Sequence, residues 1–238
     1  MGGLRQPGAR TSRRALGGFP LTYCSAATER LVAPAPPEDG ERRAVFLEPL
    51  RPAVVLGSAQ PVALADAGRA ERAGFDIVRR RSGGGAVLVA PGAQLWLDVF
   101  VPASDPLFDH DVVASSRWLG ELWRGVLSEA GVPATALEVH AGGLVATASS
   151  RLVCFAGLGP GEVTLEGRKL VGCSQRRTRA GAWFHSMVLL EARQHELAEL
   201  LVLEPSAREE LRQTIRAETT AVALSAAELT KRLGDALG

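Results

Sequence analysis

The sequence predicts an α/β domain, rich in strands through its middle and helical at its end. Short apolar runs closed by Gly and Pro mark the strands, one long apolar stripe at helical spacing marks a surface helix, and two capping-box patterns mark helix starts in the tail. No internal repeat and no low-complexity domain is visible.

Residues 1–19 are rich in Gly, Arg and small polar side chains without an apolar period, so a flexible arm is expected there, followed by a single domain over residues 20–238. Ala33-Pro34-Ala35-Pro36-Pro37-Glu38-Asp39-Gly40 is a loop by its prolines, and the apolar runs at 44–47 and 53–57 predict strands. An alanine-rich helix is expected over residues 62–73, stopped by Gly74. Asp76-Ile77-Val78 returns to strand character and delivers the chain into Gly83-Gly84-Gly85; two more strands follow at 86–89 and 95–101, joined at Pro91-Gly92. Val112, Val113, Trp118, Leu119, Leu122, Trp123, Val126 and Leu127 predict a helix over residues 109–130, with its tryptophans in the core and Gly131 as its stop. Strands are expected at 136–139, 151–155, 162–165, 169–175 and 183–190, with turns at Gly159-Pro160-Gly161 and Arg179-Ala180-Gly181. The tail, from about residue 192, is helical, and capping boxes at Ser206-Ala207-Arg208-Glu209 and Ser225-Ala226-Ala227-Glu228 mark two starts.

Composition narrows the function. A hydrophobic content of 46% is ample for a core. A net charge of +1 supplies no general field for nucleic acid or an anionic membrane, so neither is an expected partner. Three scattered cysteines, Cys24, Cys154 and Cys173, suit neither a disulfide framework nor a zinc cluster and point to a reducing cytoplasm. The chain has no apolar run of bilayer length and no signal-type segment after its basic start, so a soluble cytoplasmic protein is expected. No His, Cys or carboxylate set has metal-ligand spacing, and no metal site is assigned.

Two segments carry chemistry. Only two lysines occur in 238 residues, and one of them, Lys169, lies in Gly167-Arg168-Lys169-Leu170-Val171-Gly172. Among arginines, a lysine offers a compact, rotatable point donor for a single carbonyl or phosphate oxygen. The second segment is Arg79-Arg80-Arg81-Ser82-Gly83-Gly84-Gly85-Ala86-Val87. Consecutive glycines let the backbone approach a ligand and expose its N–H groups, and the adjacent arginines suit a carboxylate or phosphate. A solvated basic turn is the plainer alternative. The loop is neither a P-loop nor a dinucleotide fingerprint, because strand rather than helix follows it.

Together, the Arg-Arg-x-Ser-Gly-Gly-Gly-Ala-Val loop and the Gly-Arg-Lys-x-x-Gly-x-x-Gln-Arg segment resemble the lipoate-protein ligase and octanoyltransferase family of the biotin/lipoate ligase superfamily, from about Pro52 through Leu190. The resemblance implies a mixed, largely antiparallel sheet flanked by helices, and attachment of a lipoyl or octanoyl group to a lysine of a lipoyl domain. It implies that Arg80, Arg81, Ser82, Gly83, Gly84, Gly85 and Ala86 line the acyl and activated-carboxyl site. Lys169 would donate to the acyl carbonyl or adenylate phosphate, Gly172 would allow close approach, and His185 would help close the site. Implied partners are the lipoyl domain of a 2-oxoacid dehydrogenase or glycine cleavage protein, an acyl carrier protein, or a separate accessory subunit.

The chain departs from the ligase pattern in two places. The His-Asp pair that follows the glycine loop is replaced by Leu88-Val89-Ala90-Pro91. The Asn-Asp pair associated with magnesium and nucleotide is matched to His140-Ala141-Gly142-Gly143-Leu144-Val145, which holds no carboxylate and leaves magnesium in doubt. Cys154-Phe155 resembles the nucleophile position of the family's thioester-forming branch, against the plain reading of a small buried cysteine. Three routes therefore stay open: ligation with ATP and free lipoate or octanoate, ATP-independent octanoyl transfer through Cys154, or non-catalytic acyl binding. Cys173 is read as packing and His110 and His195 as solvated. His140 is read as a pocket border, and Arg176, Arg177 and Arg179 as a solvated face or an acidic-acceptor dock.

Overall fold

The computed structural model describes residues 18–238. The arm expected over residues 1–19 lies outside them except for its end, where Phe19 is buried and stacked on Trp118. Strand β1 (Leu21–Ala26), a single helical turn α1 (Thr28–Leu31) and strands β2 (Arg43–Pro49) and β3 (Ala53–Leu56) open the fold. Helix α2 (Ala67–Arg72) precedes β4 (Asp76–Arg79), β5 (Val87–Val89) and β6 (Gln94–Pro102). Helix α3 (Arg117–Glu129) precedes β7 (Leu137–Val139), β8 (Val163–Leu165), β9 (Arg168–Thr178) and β10 (Gly181–Leu189). The chain ends in α4 (Leu197–Leu200), α5 (Pro205–Glu218) and α6 (Ala226–Leu237).

Seven strands form one sheet in the order β1-β2-β6-β10-β9-β8-β7, antiparallel except for β1 with β2, and β4-β3-β5 form a smaller mixed sheet. Four layers result. One face of the large sheet (Leu97, Val99, Phe184, Val188) packs on the apolar sides of α3 and α6. Its other face meets the small sheet through Trp96, Met187, Phe155, Val55 and Val87. The outer face of the small sheet is covered by α4 and α5 through Leu197, Leu201, Leu211 and Ile215. Burial on both faces explains why β6 reads as an almost continuous apolar run.

Four expected elements differ. The long helix begins at Arg117, because the Asp111 side chain accepts from the Val113 and Ala114 amides and Asp109 from the Asp111 amide, local bonds that compete with a helical turn. His110 therefore lies in a loop. The helix expected over 62–73 is a 3-10 turn, a break at Ala65 and a short helix capped by Asp66, which accepts from the Arg69 amide. Residues 151–155 form no strand beyond a bridge between Val153 and Ala86, because the Arg151 and Leu152 carbonyls accept from the Gln60 side chain and the Cys154 carbonyl from Lys169 instead of from a neighbouring strand. Helix α5 starts at Pro205 with no side-chain cap, whereas Ser225 caps α6 as its sequence predicts. Strand β1 and the turn α1 have no counterpart among the sequence-based expectations. The exposed, polar middle of β1 hides its pairing with β2.

Candidate functional site

The site lies between the two sheets and begins with the glycine loop. Arg80, 8% exposed, follows β4 and bends back, its guanidinium donating to the carbonyls of Val55 (3.2 Å), Gly83 (2.7 Å) and Gly85 (2.8 Å). No carboxylate pairs with it among the described residues. Burial without a counter-ion pulls its pKa down, with partial relief from Cys154. Glycine is required here by contact as well as by conformation. Gly84 adopts φ +93°, and a Cβ on Gly57 would stand 1.9 Å from the Gly84 oxygen. Among the described residues the N–H groups of Gly83, Gly84 and Gly85 meet no protein acceptor. The loop is fixed at its far end by Ala86, whose amide donates to the Leu152 carbonyl and whose carbonyl accepts from the Cys154 amide. Ser82 is buried 3.1 Å from the Ser174 hydroxyl, and Arg81 is exposed.

From the opposite side, β9 supplies Lys169. The ammonium is 4% exposed and ion-paired to Glu162 at 2.6 Å, and it donates to the carbonyls of Cys154 (2.7 Å) and Gly157 (3.0 Å). Its three donors are thus engaged, over the Phe155 ring at 4.9 Å. Burial alone would lower its pKa, but Glu162 and the two nearby thiols raise it above the usual lysine value. Glu162, 2% exposed, also accepts from the amides of Gly159 (2.6 Å) and Cys173 (3.0 Å). The neighbouring Arg168 points elsewhere and donates to the Arg216 (2.7 Å), Ala217 (3.1 Å) and Thr219 carbonyls at the end of α5.

These halves share one cavity. Gly83, Gly84, Gly85, Lys169, Glu162 and Cys154 line it, and Cys154, Cys173 and Ser174 also line a narrow, mainly apolar channel of about 40 Å³. The channel runs between the sheets past Phe155, Val87, Trp96 and Met187, with Arg80 and Ser82 at its walls. Gly172 lies beneath Phe155, where a Cβ would come within 2.9 Å of the ring. His185 lines the channel away from Lys169, its Nδ1 2.7 Å from Asp98, and Asp98 also accepts from the Trp96 indole at 2.7 Å. Cys154, beside Gly84, and Cys173 are both half-buried, and desolvation together with Glu162 drives the Cys173 thiol pKa well up.

Of the residues expected at the site, Arg80, Ser82, Gly83, Gly84, Gly85, Cys154, Lys169, Gly172 and His185 line this connected space; Ala86 anchors the loop behind it and Arg81 does not line it. Sequence reasoning missed Glu162 and Asp98. The stretch at His140 does lack a carboxylate, but the acid that faces Lys169 comes from Glu162, just before β8. The hairpin that pairs Thr164 with Lys169 carries it there, so an acid seven positions ahead of the lysine was the usable signal. His140 lies outside both cavities, with Nε2 2.7 Å from the Gly143 carbonyl. Arg177 is not free for docking: it binds the Asp109 carbonyl and Ser115 and lies over Phe108.

Magnesium fits poorly. Among the described residues no three His, Cys, Asp or Glu groups could hold a metal, and the one carboxylate in the cavity is committed to an ammonium and two amides. No helix of the described residues is long and apolar enough to cross a membrane.

The model of the lipoyl protein ligase A/B catalytic domain matches residues 21–231, and the chain belongs to that family. No curated protein gives a significant match. Solved structures share the fold. The bi-partite lipoate protein ligase of Thermoplasma acidophilum, described with its E2 lipoyl domain, is 17% identical, with a TM-score of 0.67 over 93% of this chain and 82% of that one. Lipoate-protein ligase A bound with ATP is 16% identical, with a TM-score of 0.66 over 92% and 83%. A T. acidophilum structure with bound lipoic acid is 16% identical, with a TM-score of 0.62 over 82% and 71%.

Proposed function

Starting from membership of the lipoyl protein ligase A/B family, we propose that this chain attaches a lipoyl or octanoyl group to a lysine of a lipoyl domain, as a lipoate-protein ligase using ATP and the free acid. The observation that carries this reading is that the glycine loop and Lys169 line one cavity, and that this cavity shares Cys154, Cys173 and Ser174 with an apolar channel walled by Arg80. The apolar channel takes the acyl tail. Its carboxyl group meets the uncompensated charge of Arg80 and the unpaired glycine amides, groups that also stabilise the negative charge building up on the acyl oxygen when the acyl carbon is attacked. Lys169 reaches the same oxygen by exchanging one of its carbonyl bonds, while Glu162 keeps the ammonium aimed. The relatives bound to ATP and to lipoic acid, and the one described with an E2 lipoyl domain, support these substrates and this acceptor. The bi-partite relative also supports a separate accessory subunit.

One observation favours a second route. Cys154 lines both the cavity and the channel, beside Gly84 and within the fields of Arg80 and Lys169. In that route its thiolate attacks the carbonyl carbon of an acyl thioester, a new C–S bond forms, and the carrier leaves as a thiol after taking a proton. The acceptor amine then forms the C–N bond, loses a proton and releases the Cys154 sulfur. Incubation with a lipoyl domain and either lipoate plus ATP or an octanoyl-carrier protein, read by acceptor mass, separates the routes. ATP-dependent labelling that survives Cys154→Ala supports the ligase; a hydroxylamine-sensitive adduct on Cys154 supports transfer. Acyl binding without labelling in either assay supports a non-catalytic member.

A further inference from the structure

Two cavities lie on the same face of the large sheet, on either side of a buried carboxylate. The first is the apolar channel. The second, about 150 Å³, is lined mainly by Leu31, Pro34, Val45, Leu47, Asp98 and Trp183 on the side toward β1, with Cys24 and Arg30 on its wall as well. Near neighbours along the chain line different cavities. Val32 lines the channel and Leu31 the chamber; His185 lines the channel and Trp183, stacked on it at 6.5 Å, lines the chamber. Between them stands Asp98, 1% exposed, directly opposite His185 on β10 and Val45 on β2. One carboxylate oxygen takes the Trp96 indole N–H and the other faces His185 Nδ1, both at 2.7 Å. The Trp183 indole N–H is buried with no partner among the described residues, so the chamber is not finished as a closed core.

We infer that Asp98 is a specificity-determining latch: by holding Trp96 and His185 together it closes the tail end of the acyl channel and shuts the chamber behind it, limiting the length of the acyl chain. This rests on the acyl-transfer reading above. The arrangement is costly unless it serves a purpose, since a buried carboxylate in an apolar layer stays only because both neighbours bond to it. Loss of those bonds leaves only the stacking of His185 on Trp183 to hold the partition, and the mainly apolar chamber then becomes available to additional methylenes. Asp98 touches neither the reacting carbon nor Lys169, so it sets the position of the wall and not the chemistry.

The test is calorimetric binding of octanoate, decanoate and dodecanoate to the full chain and to Asp98→Ala, Asp98→Asn and His185→Ala. The wild type is expected to bind octanoate best. In Asp98→Ala each added methylene that enters the chamber should raise affinity about fourfold, so the preference moves to decanoate or dodecanoate. Asp98→Asn, which can still bridge an indole N–H and an imidazole, should retain the octanoate preference. His185→Ala removes the partition from the channel side and should shift the preference in the same direction, which keeps the test decisive if Asp98→Ala fails to fold. An unchanged ranking in folded Asp98→Ala or, in its place, folded His185→Ala overturns the latch. A wild type that binds none of the three acids overturns the acyl-channel reading itself and the latch with it.

Discussion

Lys169 and Arg80 border adjoining spaces from opposite sheets, the lysine in the glycine-loop cavity with a carboxylate at 2.6 Å and the arginine in the channel wall with backbone carbonyls alone. Each is almost fully buried. At Lys169 the charge is neutralised within the protein, so the ammonium is an oriented donor rather than a magnet for anions. At Arg80 the charge is left over, and the loop it braces offers three unpaired amides. The comparison teaches that anion capture and donor positioning are divided between the two halves of the site, and each half can be disabled separately.

The largest effect is expected from Glu162→Ala, which leaves a buried ammonium unpaired and should destabilise the fold by about 3–5 kcal/mol in urea unfolding. The double variant Lys169→Met/Glu162→Gln should recover much of that loss while remaining inactive. Lys169→Met alone should reduce acceptor labelling about 100- to 1000-fold, the scale of removing one donor from a developing oxyanion. If Lys169→Met weakens acyl binding more than it slows transfer, the division of labour is wrong. Arg80→Gln should do the reverse, weakening octanoate about tenfold or more in calorimetry, with a smaller effect on the rate at saturation.

A smaller change is expected at the loop's foundation. Gly57→Ala places a methyl against the Gly84 carbonyl, and the forced backbone shift should cost about 1–3 kcal/mol and open the cavity. Thermal melts and octanoate affinity should fall together. The pH dependence sharpens the lysine half. The folded-state pKa of Lys169 is raised above 10.5, so its stabilisation is complete below that pH and is lost as pH climbs through the folded value. Glu162→Gln removes the main lifting charge, and melts at alkaline pH should then decline earlier than in the wild type. The smallest effect is Ser225→Ala, a surface cap of α6 with a long 3.5 Å bond, expected to cost about 0.5–1 kcal/mol.

The glycine loop and the lysine segment were legible because their residue types are constrained locally: φ +93° at Gly84 and the contact beneath Phe155 at Gly172 can be met only by glycine. The buried strands β5, β6 and β10 were equally readable from their apolar runs. Glu162 and Asp98 were harder to read, since their roles come from neighbours across the sheet, Lys169 across the β8–β9 hairpin and His185 on β10; Glu162 is signalled only by its place seven positions ahead of the lysine, and Asp98 by no local spacing. The missing strand at 151–155 has the same origin, because distant side chains claim carbonyls that a strand would use, Gln60 those of Arg151 and Leu152 and Lys169 that of Cys154. Local propensity also misplaced the start of α3, where two aspartates bind their own backbone in the segment before Arg117.

The most direct measurement is a crystal structure of the full chain with octanoate bound. The account predicts a carboxyl group within hydrogen-bond distance of the Gly83–Gly85 amides or the Arg80 guanidinium, on the Lys169 side, and a tail running between the sheets toward Trp96 and His185. Octanoate in another cavity, or with its carboxyl group at the His185 end, would contradict it.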